Sequence, residues 1–368
     1  MAAERREPLR IEGAGHWLDA GRPVGEDARP LSIAEMAGIV EYTPGDLTLT
    51  ARAGTSLEEI ARVTAAERQW LALDPFGPPT STLGATIVTA SAGPLAHAFG
   101  TPRDNVLGLE AVTGDGQVVR TGGRVVKNVA GFDLTRLFTG SWGTLAVITE
   151  ATVRLRALPE VDECRALPIG EDVERLDALF ERLRFAPLEP AALELVGPSL
   201  AAHLGIDTGG LGALLFRLGG NEGSVRSQVD FLSTLADSAV TRRDVWQSLR
   251  ECEPRRAAVA RFSAPASRMA GTWAAAREAA AGSAGAFVHA TIARGIARCI
   301  VPANDHTAVE QLLRVASRFD GTVIFERLPD GAWERAGPVP ASDRLSRGIK
   351  QRFDPMNVLN PGILGERP

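Results

Sequence analysis

Two glycine-threaded segments constrain this chain more than any other feature: Pro79 to Asp104 (PTSTLGATIVTASAGPLAHAFGTPRD) and Lys127 to Glu150 (KNVAGFDLTRLFTGSWGTLAVITE). Small residues, hydroxyls and backbone amides at this density are what a chain needs to wrap a large anionic group. Thr80, Ser81 and Thr82 with Gly84, then Thr86, Thr89, Ser91 and Gly93, then Gly100 to Asp104 set donors along a path that reads as extended. Backbone N–H groups and hydroxyls can bind a diphosphate without lysine, as phosphate loops do. From Gly131 to Leu145 the glycines let the backbone lie against a flat ring system.

Other ligand chemistries are poorly supported. Gly13-Ala14-Gly15 is half of a dinucleotide fingerprint, but position 18 is leucine and no helix is expected directly after Gly15. Neither lysine, Lys127 or Lys350, follows the glycines of a Walker-type loop. With 38 arginines making up the rest of the 40 basic residues, the scarcity of lysine reads first as an arginine-favouring codon bias, and otherwise as two places where a compact charge is not freely replaced by a guanidinium. The basic residues are scattered among 45 acidic ones at net charge −5, which argues against a nucleic-acid or anionic-membrane partner. Cys164, Cys252 and Cys299 lie far apart, so neither a disulfide framework nor a zinc or iron–sulfur site is expected in this chain, and no metal ligand set is assigned. A cytoplasmic chain fits these cysteines, and no apolar run reaches the roughly 20 residues of a membrane helix.

At 368 residues the chain is large enough for two domains. Leu9 to Ile11 read as a strand end before a loop containing Gly13, Gly15 and Gly21. Leu47, Leu49 and Ala51 alternate as a half-buried strand, and Thr55-Ser56-Leu57-Glu58 reads as a capping box opening a helix to about Arg68. Val106 to Thr113 and Gln117 to Thr121 flank Gly114-Asp115-Gly116 as a hairpin. After Pro159 helices and strands alternate to Leu328, predicting an antiparallel sheet backed by helices. A loop from Pro329 to Ser342 then leads to a last helix, Asp343 to Phe353.

The runs STLGATIVTASAGP, AFGTPRDNVLGLEAVTGDG, KNVAGFDLTRLFTGSWGTLAVITEATVRL and FDPMNVLNPG together resemble the vanillyl-alcohol oxidase (PCMH-type) flavoprotein family, and within it the FAD-binding subunits of bacterial glycolate oxidases. The resemblance implies an α+β chain, with a two-subdomain PCMH-type FAD-binding domain over residues 1–156, an α+β cap over 157–342 and a return to the first domain over 343–368. It implies FAD as cofactor. Gly13, Gly15 and His16 would form the first diphosphate loop; Thr80, Thr82, Leu83, Gly84, Ser91 and Gly93 would line the diphosphate and ribityl chain. Thr101, Arg103 and Asp104 would sit beside the cofactor, Gly143, Thr144 and the backbone of Val147 and Ile148 would hold the adenine end, and Asn360 would close the site near the ring. Some members bind flavin covalently through a loop histidine, which leaves His16 open between that role and a hydrogen-bonding one. The resemblance further implies a complex with a catalytic flavoprotein subunit and an iron–sulfur subunit, a small 2-hydroxy acid as substrate, and attachment to the inner membrane only through partners.

The sequence departs from the family at two places. Related proteins carry a further strand and helix before the first diphosphate loop, where this chain has only Met1 to Glu7 ahead of Pro8. Catalytic relatives have a metal-linked Glu-His-Gly in the cap, whereas the matching stretch here is Phe325-Glu326-Arg327-Leu328-Pro329. His289 and His306 have no carboxylate or histidine at ligand spacing and read as structural or surface residues. Oxidising a 2-hydroxy acid requires a base on the hydroxyl and a cation on the carboxylate. Strand alternation would aim only one of Glu326 and Arg327 at the flavin, Arg103 is an alternative cation, and the base stays unassigned. Three functions follow as expectations: an FAD-binding subunit, an assembly subunit with a vestigial flavin site, or a self-sufficient 2-hydroxy acid dehydrogenase.

Overall fold

Backbone hydrogen bonding gathers most strands into two sheets, one of five strands and one of eight. The structure is a computed structural model that describes residues 2–123, 133–170, 172–235, 238–337 and 343–365. Lys127, Gly131 and Phe132 of the second glycine-threaded segment lie outside the described residues, as does 338–342 of the loop read before the last helix. The chain divides into two compact units, Met1–Gly93 with Phe99–Leu158 and Pro338–Pro368, and Pro94–Ala98 with Pro159–Gly337.

In the first unit, β1 (Leu9–Glu12) pairs in parallel with β2 (Arg29–Ser32). Next come β3 (Ile39–Thr43), β4 (Thr48–Arg52), helix α1 (Leu57–Ala65), helix α2 (Leu83–Thr89), β5 (Val106–Thr113), β6 (Val118–Gly122), helix α3 (Leu134–Phe138) and β7 (Ala146–Arg154). Its sheet is antiparallel in the order β3-β4-β7-β5-β6. Leu49, Ala51, Ile60, Leu83, Ile87, Leu109, Phe138, Ile148 and Val153 form the core between this sheet and its helices.

Two local readings shift. Ser56 rather than Thr55 caps α1, accepting from the Glu59 N–H at 3.1 Å, while the Thr55 hydroxyl accepts from the Gly38 N–H at 2.9 Å. The first glycine-threaded segment is not extended throughout, because Thr82 caps α2 in its middle and the Thr86 and Thr89 hydroxyls donate back to the Thr82 and Ala85 carbonyls at 3.0 and 2.7 Å. Those hydroxyls thus satisfy helix backbone.

The second unit contains β8 (Val161–Ile169), α4 (Val173–Arg184), β9 (Ala192–Val196), α5 (Pro198–His203), β10 (Gly212–Gly220), α6 (Glu222–Ser233) and β11 (Ala239–Val240). It continues with α7 (Val245–Arg250), β12 (Ala257–Ser263), α8 (Met269–Ala279), β13 (Phe287–Thr291), β14 (Ile296–Pro302), α9 (His306–Arg318) and β15 (Thr322–Arg327). The sheet order is β11-β8-β10-β9-β13-β14-β12-β15, and every pairing is antiparallel. Helices cover both faces: Leu214 and Phe216 join a core with Leu176, Leu232, Trp273 and Leu312, while Ala213 and Leu215 point the other way toward Leu200, Trp246 and Leu249. Burial on both faces explains why β10 reads as an unbroken apolar run.

The chain returns to the first unit through α10 (Arg344–Phe353), whose Phe353 packs edge-on against Phe138 at 5.3 Å. Lys350 donates to the Thr144 and Leu359 carbonyls at 2.8 and 3.1 Å and to Asp354 at 2.8 Å. An ammonium radiates three donors from one atom, which a planar guanidinium cannot do, so this lysine is held by geometry.

Candidate functional site

Four stretches of the first unit converge on a cavity of about 80 Å³: the loop Gly13–Leu18 after β1, the entry to α2 at Ser81–Ala85, the turn and strand from Trp142 to Ile148, and Asn360. Glycine is required at two contacts. A Cβ on Gly13 would stand 2.5 Å from the Thr82 hydroxyl oxygen, so only glycine brings the loop onto the α2 cap. Gly143 has φ +68°, and a Cβ there would lie 2.8 Å from the Asn360 amide nitrogen. Asn360 accepts from the Ile11 N–H and donates to the Trp142 carbonyl, both at 2.8 Å, joining β1, the turn and the tail. His16 Nε2 is 3.0 Å from the Thr80 hydroxyl, within hydrogen-bonding distance.

Of the residues expected at the cofactor, Gly13, Gly15, His16, Thr82, Gly84, Gly143, Val147, Ile148 and Asn360 line the cavity, and Thr80 meets it through His16. Leu83 is in the core, the Ser91 hydroxyl accepts from the Phe76 N–H at 3.1 Å, and Gly93 packs against the Asp74 carbonyl. Thr101 donates from its N–H and hydroxyl to Asp104 at 2.8 Å, Arg103 reaches the Thr139 carbonyl at 3.4 Å, and Thr144 donates to the Ser141 carbonyl at 2.7 Å. These side chains brace the scaffold around the cavity.

The lining also includes residues that the expected cofactor set leaves out, Ser81, Trp17 and Trp142 among them. Ser81 is 1% exposed and its hydroxyl has no hydrogen-bond partner among the described residues, an unmet buried polar atom at a cavity wall that calls for a ligand. Its place inside the Thr80-Ser81-Thr82 triplet was the available signal. Trp17 and Trp142 also line the cavity, edge to face at 6.1 Å. Trp142 holds φ +55° through its own N–H to the Val88 carbonyl at 2.7 Å and the Asn360 bond. A cradle of glycine backbone and hydroxyls beside aromatic faces fits a diphosphate joined to flat rings, which is the chemistry of FAD.

The profile of the family described as an FAD binding domain matches residues 1–122. The chain is 33% identical over 253 residues to glycolate oxidase subunit GlcE of Escherichia coli K12, covering 68% of this chain and 66% of that protein. It is 28% identical over 401 residues to glycolate oxidase subunit GlcD of Bacillus subtilis 168, covering 98% and 84%. The chain belongs to the PCMH-type FAD-binding flavoprotein family. A D-lactate dehydrogenase of Archaeoglobus fulgidus is 34% identical over 199 residues, 53% of this chain and 43% of that one. The solved alkyldihydroxyacetonephosphate synthase shares the fold at TM-score 0.70 and 18% identity, over 98% of this chain and 73% of its own. FAD is thus the cofactor of this flavoprotein, an FAD-dependent oxidoreductase whose described helices are all too short or too polar to cross a membrane.

The flavoprotein's second unit carries a separate charged face. Glu194 of β9 is fully buried, with His289 Nδ1 of β13 at 3.0 Å and the Thr291 hydroxyl donating to its other oxygen. His289 therefore has a carboxylate partner 95 residues away in sequence, which spacing along the chain could not reveal. Glu326 of β15 accepts from Arg298 of β14, which also pairs with Glu253, and Glu253 pairs with Arg327. Both Glu326 and Arg327 thus enter one network, because the β12–β15 register shifts between Val259 and Ala260 and breaks the expected alternation. Burial alone would raise the Glu326 carboxyl, but the charges of Arg298 and Arg261 outweigh it and hold its pKa below the ordinary value. Burial likewise opposes the charged form of Arg298, yet Glu253 and Glu326 hold it above its ordinary value. Burial pushes the Cys252 and Cys299 thiols up to about 12, so neither is a nucleophile at neutral pH. Among the described residues no group of three His, Cys, Asp or Glu side chains could hold a metal ion.

Proposed function

We propose that this chain is the FAD-binding subunit of a complex that oxidises glycolate to glyoxylate and passes the electrons to an iron–sulfur partner. The observation carrying this reading is the cavity of the first unit, with its glycine backbone and the unmet Ser81 hydroxyl, taken with the likeness to two glycolate oxidase subunits. FAD, when bound, supplies the two-electron acceptor. The loop amides from Gly13 to His16 and the Ser81 and Thr82 hydroxyls would hold its diphosphate, and Gly143 with the Val147 and Ile148 backbone would hold the adenine end. Asn360 fixes the turn that carries Gly143.

Glu326 is a poor proton acceptor at neutral pH, because protonating it would take the Glu326 charge from Arg261 and one of two carboxylate partners from Arg298. That supports a division of labour in which a catalytic flavoprotein partner removes the proton. A second reading, a self-sufficient 2-hydroxy acid dehydrogenase, is favoured by one observation. Glu194 holds His289 through Nδ1, the arrangement that orients a histidine base.

The absorbance spectrum of the purified chain, before and after denaturation and with added glycolate, separates these readings. Bound, releasable flavin that glycolate does not bleach is the expected result, with bleaching restored on adding the partner subunits. Bleaching of the isolated chain selects the second reading. A colourless chain that takes up no added FAD overturns both, and flavin retained after denaturation points to a covalent bond at His16.

A further inference from the structure

Arg261 and Arg298 are register partners on β12 and β14, so their side chains leave the sheet on one face, directly opposite each other. Two cations so placed repel and are tolerated only with anions between them. Glu326 supplies one, with Oε2 3.1 Å from Arg298 Nε and Oε1 3.6 Å from Arg261 Nη1. Glu253 supplies the other, shared between Arg298 and Arg327. Charges therefore alternate along Arg327, Glu253, Arg298, Glu326 and Arg261, and the chain ends in a cation at each side. Arg298 is 2% exposed and hydrogen-bonded to both carboxylates through Nε and Nη2.

Arg261 is not. Its guanidinium makes no hydrogen bond among the described residues, its Nε is buried without a partner, and its contact with Glu326 is longer than a hydrogen bond. The side chain is 31% exposed, so a solute can reach it. Glu194, on β9 beyond β13 and β14, already uses one oxygen for Thr291 and the other for His289. A planar fork with unmet donors matches a carboxylate in shape and charge.

We propose that Arg261 is the anchor for the carboxylate of a small 2-hydroxy or 2-oxo acid on the second unit of this chain. The choice of carboxylate over other anions rests on the functional reading above; the site itself rests on the unmet guanidinium.

Calorimetric titration of the full chain, as purified with its flavin, tests this with oxalate and glycolate as probes and glycolamide as the uncharged control at fixed ionic strength. Oxalate and glycolate bind and glycolamide does not. R261Q weakens oxalate at least tenfold, the loss of one charge-assisted pair, with flavin absorbance unchanged, and R261K gives an intermediate value. An R261Q titration matching the parent, no oxalate binding by the parent, or glycolamide binding as well as glycolate overturns the proposal. Phosphate binding at Arg261 more tightly than oxalate overturns the carboxylate assignment. A measurement needing no variant is labelling with phenylglyoxal, mapped by mass spectrometry: oxalate protects Arg261 and leaves the exposed Arg175 reactive. An Arg261 that is never labelled, or is labelled equally with and without oxalate, also overturns it. A chain without flavin that still binds oxalate through Arg261 breaks the functional reading and leaves this site standing. A flavin-loaded chain in which R261Q changes nothing does the reverse.

Discussion

The cradle of the first unit and the charged face of the second solve opposite problems. The cradle is lined mostly by neutral groups, several of them backbone, with Arg10 and Glu12 paired at 4.0 Å, and it leaves a buried hydroxyl on Ser81 unmet. The charged face buries full charges and matches nearly all of them internally, through Arg298, Glu253, Glu326 and Arg327, and it sets the buried Glu194 against His289 Nδ1. One region is left incomplete for a ligand to finish. The other is largely complete in itself, and substitutions there act first on folding.

The sharpest break in that contrast is R298M. It leaves Glu253 and Glu326 buried without their shared cation, and removing one partner of a buried ion pair costs about 3–5 kcal/mol. Urea unfolding should lose that much while any flavin that remains bound keeps its affinity; a loss below about 1 kcal/mol would mean water already reaches the network. Acid probes the same pair. The Glu326 carboxyl is held below its ordinary value, so its contribution is fully present above the unfolded glutamate pKa of about 4.3 and disappears as pH falls through the lower folded value. The melting temperature of the parent should therefore drop more steeply below about pH 4 than that of E326Q, which starts lower at neutral pH.

The two regions also differ in how far they can be read from sequence. The cradle was legible because its parts are short contiguous runs: Gly13 to His16, Thr80 to Gly84 and Gly143 to Ile148 carry their spacing on their face. Where the reading drifted, local helix chemistry was the cause: Thr86 and Thr89 satisfy α2 backbone, and Ser56 took the cap expected of Thr55. The charged face was illegible because register assembles it. Glu194 and His289 meet only through the pairing of β9 with β13, and Glu326 and Arg298 meet across β12. A one-residue slip in any of these pairings would turn the side chains to the opposite face.

An intermediate effect falls on the joint that holds the cradle together. N360A removes two hydrogen bonds and leaves the Ile11 N–H and the Trp142 carbonyl without this partner. At roughly 1–3 kcal/mol for each group left unmet, about 2–6 kcal/mol of unfolding free energy should go, and flavin affinity with it, because Gly143 rides on the same turn. Thermal melts with and without added FAD check this. A variant that melts like the parent but loses flavin would recast Asn360 as a direct ligand.

The smallest effect on folding should accompany a clear effect on binding. The Ser81 hydroxyl donates to and accepts from nothing among the described residues, so S81A removes a buried polar atom that the protein itself does not satisfy. The flavin-free chain should keep its stability within about 0.5 kcal/mol, and a slight gain is allowed, since an unpaired buried polar group is itself a cost. FAD affinity should fall roughly tenfold or more, the loss of a hydrogen bond to a charged diphosphate at about 1.5–3 kcal/mol. T82A provides the contrast, because Thr82 also caps α2 by accepting from the Ala85 N–H at 3.3 Å. That variant should lose about 1 kcal/mol of stability along with its flavin. Equilibrium dialysis against FAD, paired with urea unfolding of the flavin-free variants, separates the two behaviours. If S81A destabilises the chain as much as T82A does, the hydroxyl serves the fold, and the cradle is as self-contained as the charged face.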